Sequence, residues 1–185
     1  MPRRACGRNL SDVRSWVLCL LLATATSLQA KGVYQEPDDF LREVFNGEPP
    51  APEILWINRT LRDSIEEILG HSPGVLRMRY WKKNRRTAWI LEEIGKEQPI
   101  TVGLVVNTGR LEKVRVLAFR ESRGWEVRYP FFTDQFNGAT LTDKHTLDRT
   151  IDGISGATLS VRALQRLARL ALYLNTQTAP PHDTP

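Results

Sequence analysis

Hydrophobic and polar positions change period along this chain, and the change divides it into elements. Leu76, Met78 and Tyr80 alternate with Arg77 and Arg79, a period of two that predicts a half-buried strand. Lys82-Lys83-Asn84-Arg85-Arg86 reads as a turn, and residues 87–94 return as the partner strand. Ile100, Val102, Leu104 and Val106 alternate next, Asn107-Thr108-Gly109-Arg110 turns the chain, and residues 111–121 come back rich in Val, Leu and Phe. Four antiparallel strands are expected.

Before and after them the period lengthens. Residues 38–45 are amphipathic and end at Asn46-Gly47 and Pro49-Pro50, which predicts a helix followed by a linker. Residues 60–69 form a second helix, with Leu61, Ile65 and Ile68 on one side, Thr60 and Asp63 resembling a capping box, and Gly70 as the stop. Asn58-Arg59-Thr60 also spells a glycosylation sequon, but a capped helix start accounts for the same residues. In the last helix Val161, Leu164, Leu167, Ala168, Ala171 and Leu174 make the apolar stripe, while Arg162, Arg166 and Arg169 make a second row expected to be solvated. Buried against the strands, that stripe gives an α+β fold, an antiparallel sheet packed with helices.

Composition is ordinary for a globular chain, with 41% hydrophobic and 25% charged residues, and it excludes collagen-like, low-complexity and multi-pass membrane classes. The formal charge of +5 invites a nucleic-acid reading until it is located. Arg3, Arg4, Arg8 and Arg14 stand at the front, the remainder is nearly neutral, and no recognition motif stands out, so nucleic-acid binding is disfavoured. The front segment has the parts of a secretory signal: a basic stretch, an apolar run over residues 16–25, and small residues at Ala25 and Ala30. The run is shorter than the roughly 18 residues of a spanning helix, which favours a cleaved signal over a retained anchor. Cys6 and Cys19 both lie in that segment, so disulfides, Cys-zinc sites and thiol catalysis drop out of the mature chain.

Several residues with chemical potential read as structural. Glu92 and Glu93 are adjacent on a strand, point to opposite faces and form no catalytic pair. His71 and His145 have no second His or Cys at ligand spacing, so no metal site is expected. The basic tip at residues 82–86 reads as solvated surface. Residues 121–136 concentrate Trp125, Tyr129, Phe131, Phe132 and Phe136, enough rings either to close the core or to stack on a flat ligand.

The chemistry concentrates just before the last helix. Asp152-Gly153-Ile154-Ser155-Gly156-Ala157-Thr158-Leu159-Ser160 delivers hydroxyls and backbone amides to a helix N-terminus, where the dipole and the free N–H groups favour a phosphate. Gly156 and Ala157 leave room for close backbone approach. Ser155 or Thr158 can equally cap the helix, with Gly153 and Gly156 serving the turn. A Ser/Thr-Gly-Ala-Thr run arises by chance in roughly one chain of this length per hundred.

At these residues the chain resembles the FMN-binding domain family, which includes the flavinylated subunits of sodium-pumping NADH:quinone oxidoreductase and of Rnf complexes. The family motif, Asp-x-x-(Ser/Thr)-Gly-Ala-Thr, is matched in full by Asp152, Ser155, Gly156, Ala157 and Thr158. The resemblance extends over about residues 99–174 and implies FMN on Thr158 through a phosphoester, with Glu121, Trp125 and Phe136 as further candidate contacts. Where the respiratory subunits commonly show a Thr-Pro-Gly-Leu-Gly loop, this chain has Ser122-Arg123-Gly124-Trp125.

The chain looks closest to small exported bacterial FMN-binding proteins. That resemblance implies a periplasmic electron carrier, or one on the outer face of the cytoplasmic membrane, with periplasmic or membrane redox partners. A separate flavin transferase using FAD and magnesium would attach the flavin. The expected divisions are a signal over 1–30, a helix and linker over 31–58, the FMN-binding domain over 59–176 and a disordered tail over 177–185. Three other readings stay open: a module holding FMN or another phosphorylated ligand reversibly, an interaction protein whose motif only caps a helix, and a flavin-dependent reductase with Asp152 as its sole acid/base candidate.

Overall fold

A computed structural model describes residues 32–178, so the expectations for the export segment with Cys6 and Cys19, and for residues 179–185, lie outside the described residues. In chain order the elements are α1 (Pro37–Val44), β1 (Glu53–Trp56), α2 (Arg59–Leu69), β2 (Arg77–Lys83), β3 (Arg86–Ile94), β4 (Pro99–Asn107) and β5 (Arg110–Phe119). Short helical turns at Trp125–Arg128 and Asp134–Phe136 flank the single-turn α3 (Pro130–Thr133), and α4 (Thr158–Gln177) ends the fold. The sheet is antiparallel in the order β1-β2-β3-β4-β5.

Both faces of the sheet are covered, which explains why β4 is buried almost throughout. One face carries Trp89, Leu91, Val102, Leu104 and Val106 against the stripe of α4 and against Leu61, Ile65 and Ile68 of α2. The other carries Ala88, Val105 and Leu117 under Phe40, Leu41 and Val44 of α1. Gly103 makes that second contact possible, because a Cβ there would stand 2.6 Å from the Phe40 ring. Two-residue turns close the hairpins, with Asn84 at φ 59° in one and Thr108 and Gly109 at φ 50° and 75° in the other.

The structure corrects several expectations. There are five strands, because residues 53–56 of the expected linker form β1 and pair with β2 from Glu53↔Tyr80 to Trp56↔Arg77. Asn58, rather than the Thr60/Asp63 box, caps α2: its Oδ1 accepts the Leu61 N–H at 2.8 Å. Gly70 terminates that helix in the left-handed conformation, as expected. The basic tip narrows to Lys83-Asn84-Arg85, since Lys82 donates to the Thr178 carbonyl at 2.7 Å and Arg86 to the Val44 carbonyl at 2.8 Å. Gln177 still belongs to α4, and Thr178 follows as its C-cap rather than opening a tail.

The arginine row on α4 is not simply solvated. Arg162 is exposed, but Arg169 donates to the Ile68 carbonyl at 2.8 Å, and Arg166 reaches to 3.8 Å from Glu93. Glu93 itself is 5% exposed and faces His71 Nε2 at 3.0 Å, while Glu92 points to the opposite side and accepts the Thr101 hydroxyl at 2.6 Å. The hydrogen bond His71 donates to Glu93, helped by the Ser72 carbonyl, raises the His71 pKa above its ordinary 6.5. A raised folded-state pKa contributes stability that is complete below the unfolded value and is lost as pH rises through the folded one. Melting curves should therefore show a deficit in His71→Gln that is largest below the ordinary imidazole value and shrinks as pH rises above it; a deficit independent of pH would refute the link.

Candidate functional site

The segment before α4 is pinned by its apolar members and exposes the rest. Ile151, Ala157 and Val161 are buried and Ile154 packs at the core's edge, whereas Asp152, Gly153, Ser155, Gly156 and Thr158 are exposed. The Ala157 N–H donates to the Ile154 carbonyl at 3.0 Å, closing a turn with Ser155 and Gly156 at its corners. Gly156 adopts φ 78°, the left-handed region that this corner requires.

The turn leads into a helix start without a side-chain cap. Ala157 occupies the N-cap position of α4, and no side chain bonds the N–H groups of the first turn. Neither Ser155 nor Thr158 caps the helix, so the capping alternative is removed. The first backbone bond of α4 is Val161 N–H to the Ala157 carbonyl at 2.9 Å, which leaves the preceding N–H groups without an intrahelical acceptor. A 20-residue helix therefore directs its positive end at the position of the exposed Thr158 hydroxyl.

Other elements hold this start in place. Gln135, in the Asp134–Phe136 turn, accepts the Asp152 N–H at 2.7 Å. Gly124, at φ 83°, lies so close that a Cβ would stand 2.9 Å from Ser160 Oγ and 3.1 Å from Ala157 Cβ. The loop at Ser122-Arg123-Gly124-Trp125 thus abuts the start of α4 directly, and its Trp125 is 42% exposed.

The other candidates divide by burial. Phe136 is fully buried edge-on to Phe132, 5.6 Å between centroids, so both are core rings and Phe136 has no face free for a ligand. Trp125, Tyr129 and Phe131 are exposed, and the Arg128 guanidinium lies over Trp125, Tyr129 and Tyr34 at 5.2, 4.9 and 4.2 Å. Glu121 accepts the N–H groups of Lys96, Glu97 and Gln98, the latter two at 2.6 and 2.9 Å, and so closes the β3–β4 loop. Burial pushes its pKa up, but the three N–H donors outweigh that and hold it below the usual carboxylate value.

Sequence reasoning did not find Gln135, Tyr34 or Arg128. Nothing in their local pattern distinguishes them from ordinary surface residues, because each is placed by tertiary contact alone. Among the described residues no cluster of His, Cys, Asp and Glu could hold a metal, and no helix is long and apolar enough to cross a membrane. Cavities of about 390 Å³ at the Lys83–Arg86 end and about 590 Å³ between α1 and β2 include no residue of the turn in their walls. The site is an open surface at a helix start.

Residues 95–173 match the FMN-binding domain family. The chain contains an FMN-binding domain. It begins at Gly95 in the β3–β4 loop, takes in β4, β5, the aromatic turns and the segment 151–158, and ends within α4. Its presence supports flavin binding and a role in electron transfer. No curated protein and no solved structure matches the chain. The matched region thus shares its sheet with three strands that precede it, β1, β2 and β3.

Proposed function

We propose that the protein is an exported flavoprotein that carries FMN covalently on Thr158 and moves electrons outside the cytoplasm. The observation that supports this reading most strongly is the exposed Thr158 hydroxyl at the uncapped start of a 20-residue helix, inside a complete Asp-x-x-Ser-Gly-Ala-Thr motif. Exposure gives a modifying enzyme access to the oxygen. The open N–H groups and the dipole then stabilise a phosphate ester once it is formed.

The residues present fit FMN. Thr158 Oγ1 would form the ester, losing its proton while the FAD of a flavin transferase gives up AMP, and magnesium is needed only by that transferase. The first-turn amides of α4 and the turn at Ser155, Gly156 and Ala157 would hold the phosphate, with Asp152 shaping the entry. Bound flavin supplies one- and two-electron chemistry. The protein orients it, with Trp125 the exposed ring adjoining Gly124. A covalent link suits a compartment where a lost cofactor is not readily replaced.

Intact mass of the exported chain, made with and without an active flavin transferase, tests the reading. An FMN-sized increment on a chain lacking residues 1–30, present only with the transferase, is the expected result. An unmodified mass with active transferase would overturn covalent attachment. Flavin that is released on denaturation would instead favour the reversible module, which the same helix start can serve.

A further inference from the structure

The sheet opens between β2 and β3. Their register runs from Lys83↔Arg86 to Tyr80↔Trp89 and stops there. Beyond it Arg77, Met78 and Arg79 pair only with β1, and residues 90–94 pair only with β4. Two strands that a tight turn joins at one end therefore part toward the other.

The parted edges still face each other. In a two-residue hairpin the pair next to the turn is hydrogen-bonded, and so is every second pair after it. Trp81 and Ala88, and in the same phase Arg77 and Glu92, therefore direct their N–H and C=O groups at the opposite strand. The outer partners agree. The Ile57 N–H bonds the Leu76 carbonyl at 3.0 Å, which turns Leu76 and Met78 toward β1 and Arg77 away from it. The Gly95 N–H bonds the Gln98 carbonyl at 3.1 Å, which turns Glu93 and Leu91 toward β4 and Glu92 away from it. Lying past the last pair, Arg77 and Glu92 aim backbone donors and acceptors into the opening.

That opening is a cavity of about 590 Å³ whose walls come from both faces of the sheet. Leu41, Trp81 and Ile90 belong to the side covered by α1, whereas Leu69, Leu91 and Leu170 belong to the side covered by α2 and α4. The cavity thus passes between the strands instead of lying on one face. Its charged side chains balance, Arg77 and Arg79 against Asp38 and Glu92, and His71, also in the wall, faces Glu93 at 3.0 Å. A volume in this range suits a small molecule and is too small for a protein element. Apolar walls take an apolar body, balanced charge selects no ion, and the backbone groups at Arg77 and Glu92 suit a group that both donates and accepts.

We propose that the fork between β2 and β3 binds an uncharged, apolar small molecule bearing a hydroxyl group. Parted edges forgo ladder bonds and close packing that a shut hairpin would keep, and such a ligand restores both. None of the residues from Asp152 to Thr158 lies in these walls, so the site is separate from the helix start and does not depend on the flavin reading.

Decanol is the probe. Titrated into the purified protein and followed by amide NMR shifts, it should fill one saturable site, with the largest shifts at residues 77–79 and 90–92. Octanol, shorter by two methylenes, should bind roughly tenfold more weakly, the loss expected when the chain is buried. Decanoate should also bind roughly tenfold more weakly, because its charge would enter an apolar cavity without a spare partner. Ile90→Trp, which adds bulk to the wall, should weaken decanol roughly tenfold, and Leu76→Ser, exposed and outside the walls, should bind as the parent does. Absence of saturable binding, shifts that gather elsewhere, or octanol or decanoate binding as tightly as decanol would each overturn the proposal. The chain-length and head-group comparisons use the unsubstituted protein, so they hold however Ile90→Trp folds. Shifts of the same amides on raising protein concentration alone would place a second copy in the opening and would overturn it equally.

Discussion

Thr158→Ala is expected to abolish covalent flavin completely, whereas Ser155→Ala leaves it in place and Thr158→Ser retains it. The two positions are chemically similar on paper: two hydroxyls, three residues apart, both exposed. The fold distinguishes them. Ser155 stands at the corner of the turn closed by the Ala157 N–H, whereas Thr158 is the first residue of α4, in the turn whose N–H groups have no cap. A phosphate esterified at Thr158 meets those donors and the helix dipole. Thr158 makes no side-chain cap bond whose loss would unfold the helix, so melting of Thr158→Ala should stay close to wild type, within the roughly ±0.5 kcal/mol usual for surface substitutions. Intact mass and in-gel flavin fluorescence after co-expression with the transferase decide the matter. A Thr158→Ala chain that still gains the FMN-sized increment, or one whose increment moves to Ser155, would remove Thr158 from the role proposed for it.

The parts of this fold that were legible in the sequence are those in which local pattern and tertiary position coincide. In β2 to β5 one residue in two meets α4 or α2, and in β4 the intervening residues meet α1, while the stripe from Val161 to Leu174 repeats because α4 crosses the sheet along one side. β1 was not legible: Ile54 and Trp56 are both exposed on its open face, so the four residues that follow Pro52 carry no burial signal. The cap of α2 was misplaced by two residues because Asn58 and Thr60 are both good cap formers, and only Asn58 Oδ1 reaches the Leu61 N–H. Sequence could not separate Phe136 from Trp125 either. Each is one ring in an aromatic run, and burial of the first beneath α3 and exposure of the second follow from how the chain folds back along β5. The helix-start motif was legible because its chemistry is local, held in consecutive residues. Its supports, Gln135 and Gly124, come from other parts of the chain.

Gly124 gives the second large effect. Two separate costs meet at this position. Its φ of 83° is left-handed, which costs a residue with a Cβ roughly 1–2 kcal/mol. In addition a Cβ would stand 2.9 Å from Ser160 Oγ, 3.1 Å from Ala157 Cβ and 3.4 Å from Ala157 Cα, and overpacking of this kind costs about 1–3 kcal/mol. Ser160 is only 5% exposed and has little room to turn away, and Ala157 Cα belongs to the backbone that starts α4. Gly124→Val is therefore expected to lose about 2–5 kcal/mol, a fall of roughly 5–15 °C in Tm for a domain of this size. Gly109→Ala separates the two costs, because Gly109 has φ 75° with nothing within 4 Å of where its Cβ would stand, so it bears the backbone strain alone. The expected order of destabilisation is Gly124→Val, then Gly124→Ala, then Gly109→Ala. Flavin loading should follow contact with the helix start and not stability: Gly124→Ala, assayed well below its Tm, should load poorly, since relief of the clash displaces the turn that bears Thr158. Gly109→Ala should load as wild type. If Gly124→Val melts with Gly109→Ala and loads fully, the loop and the helix start are not coupled, and Gly124 serves only its own turn.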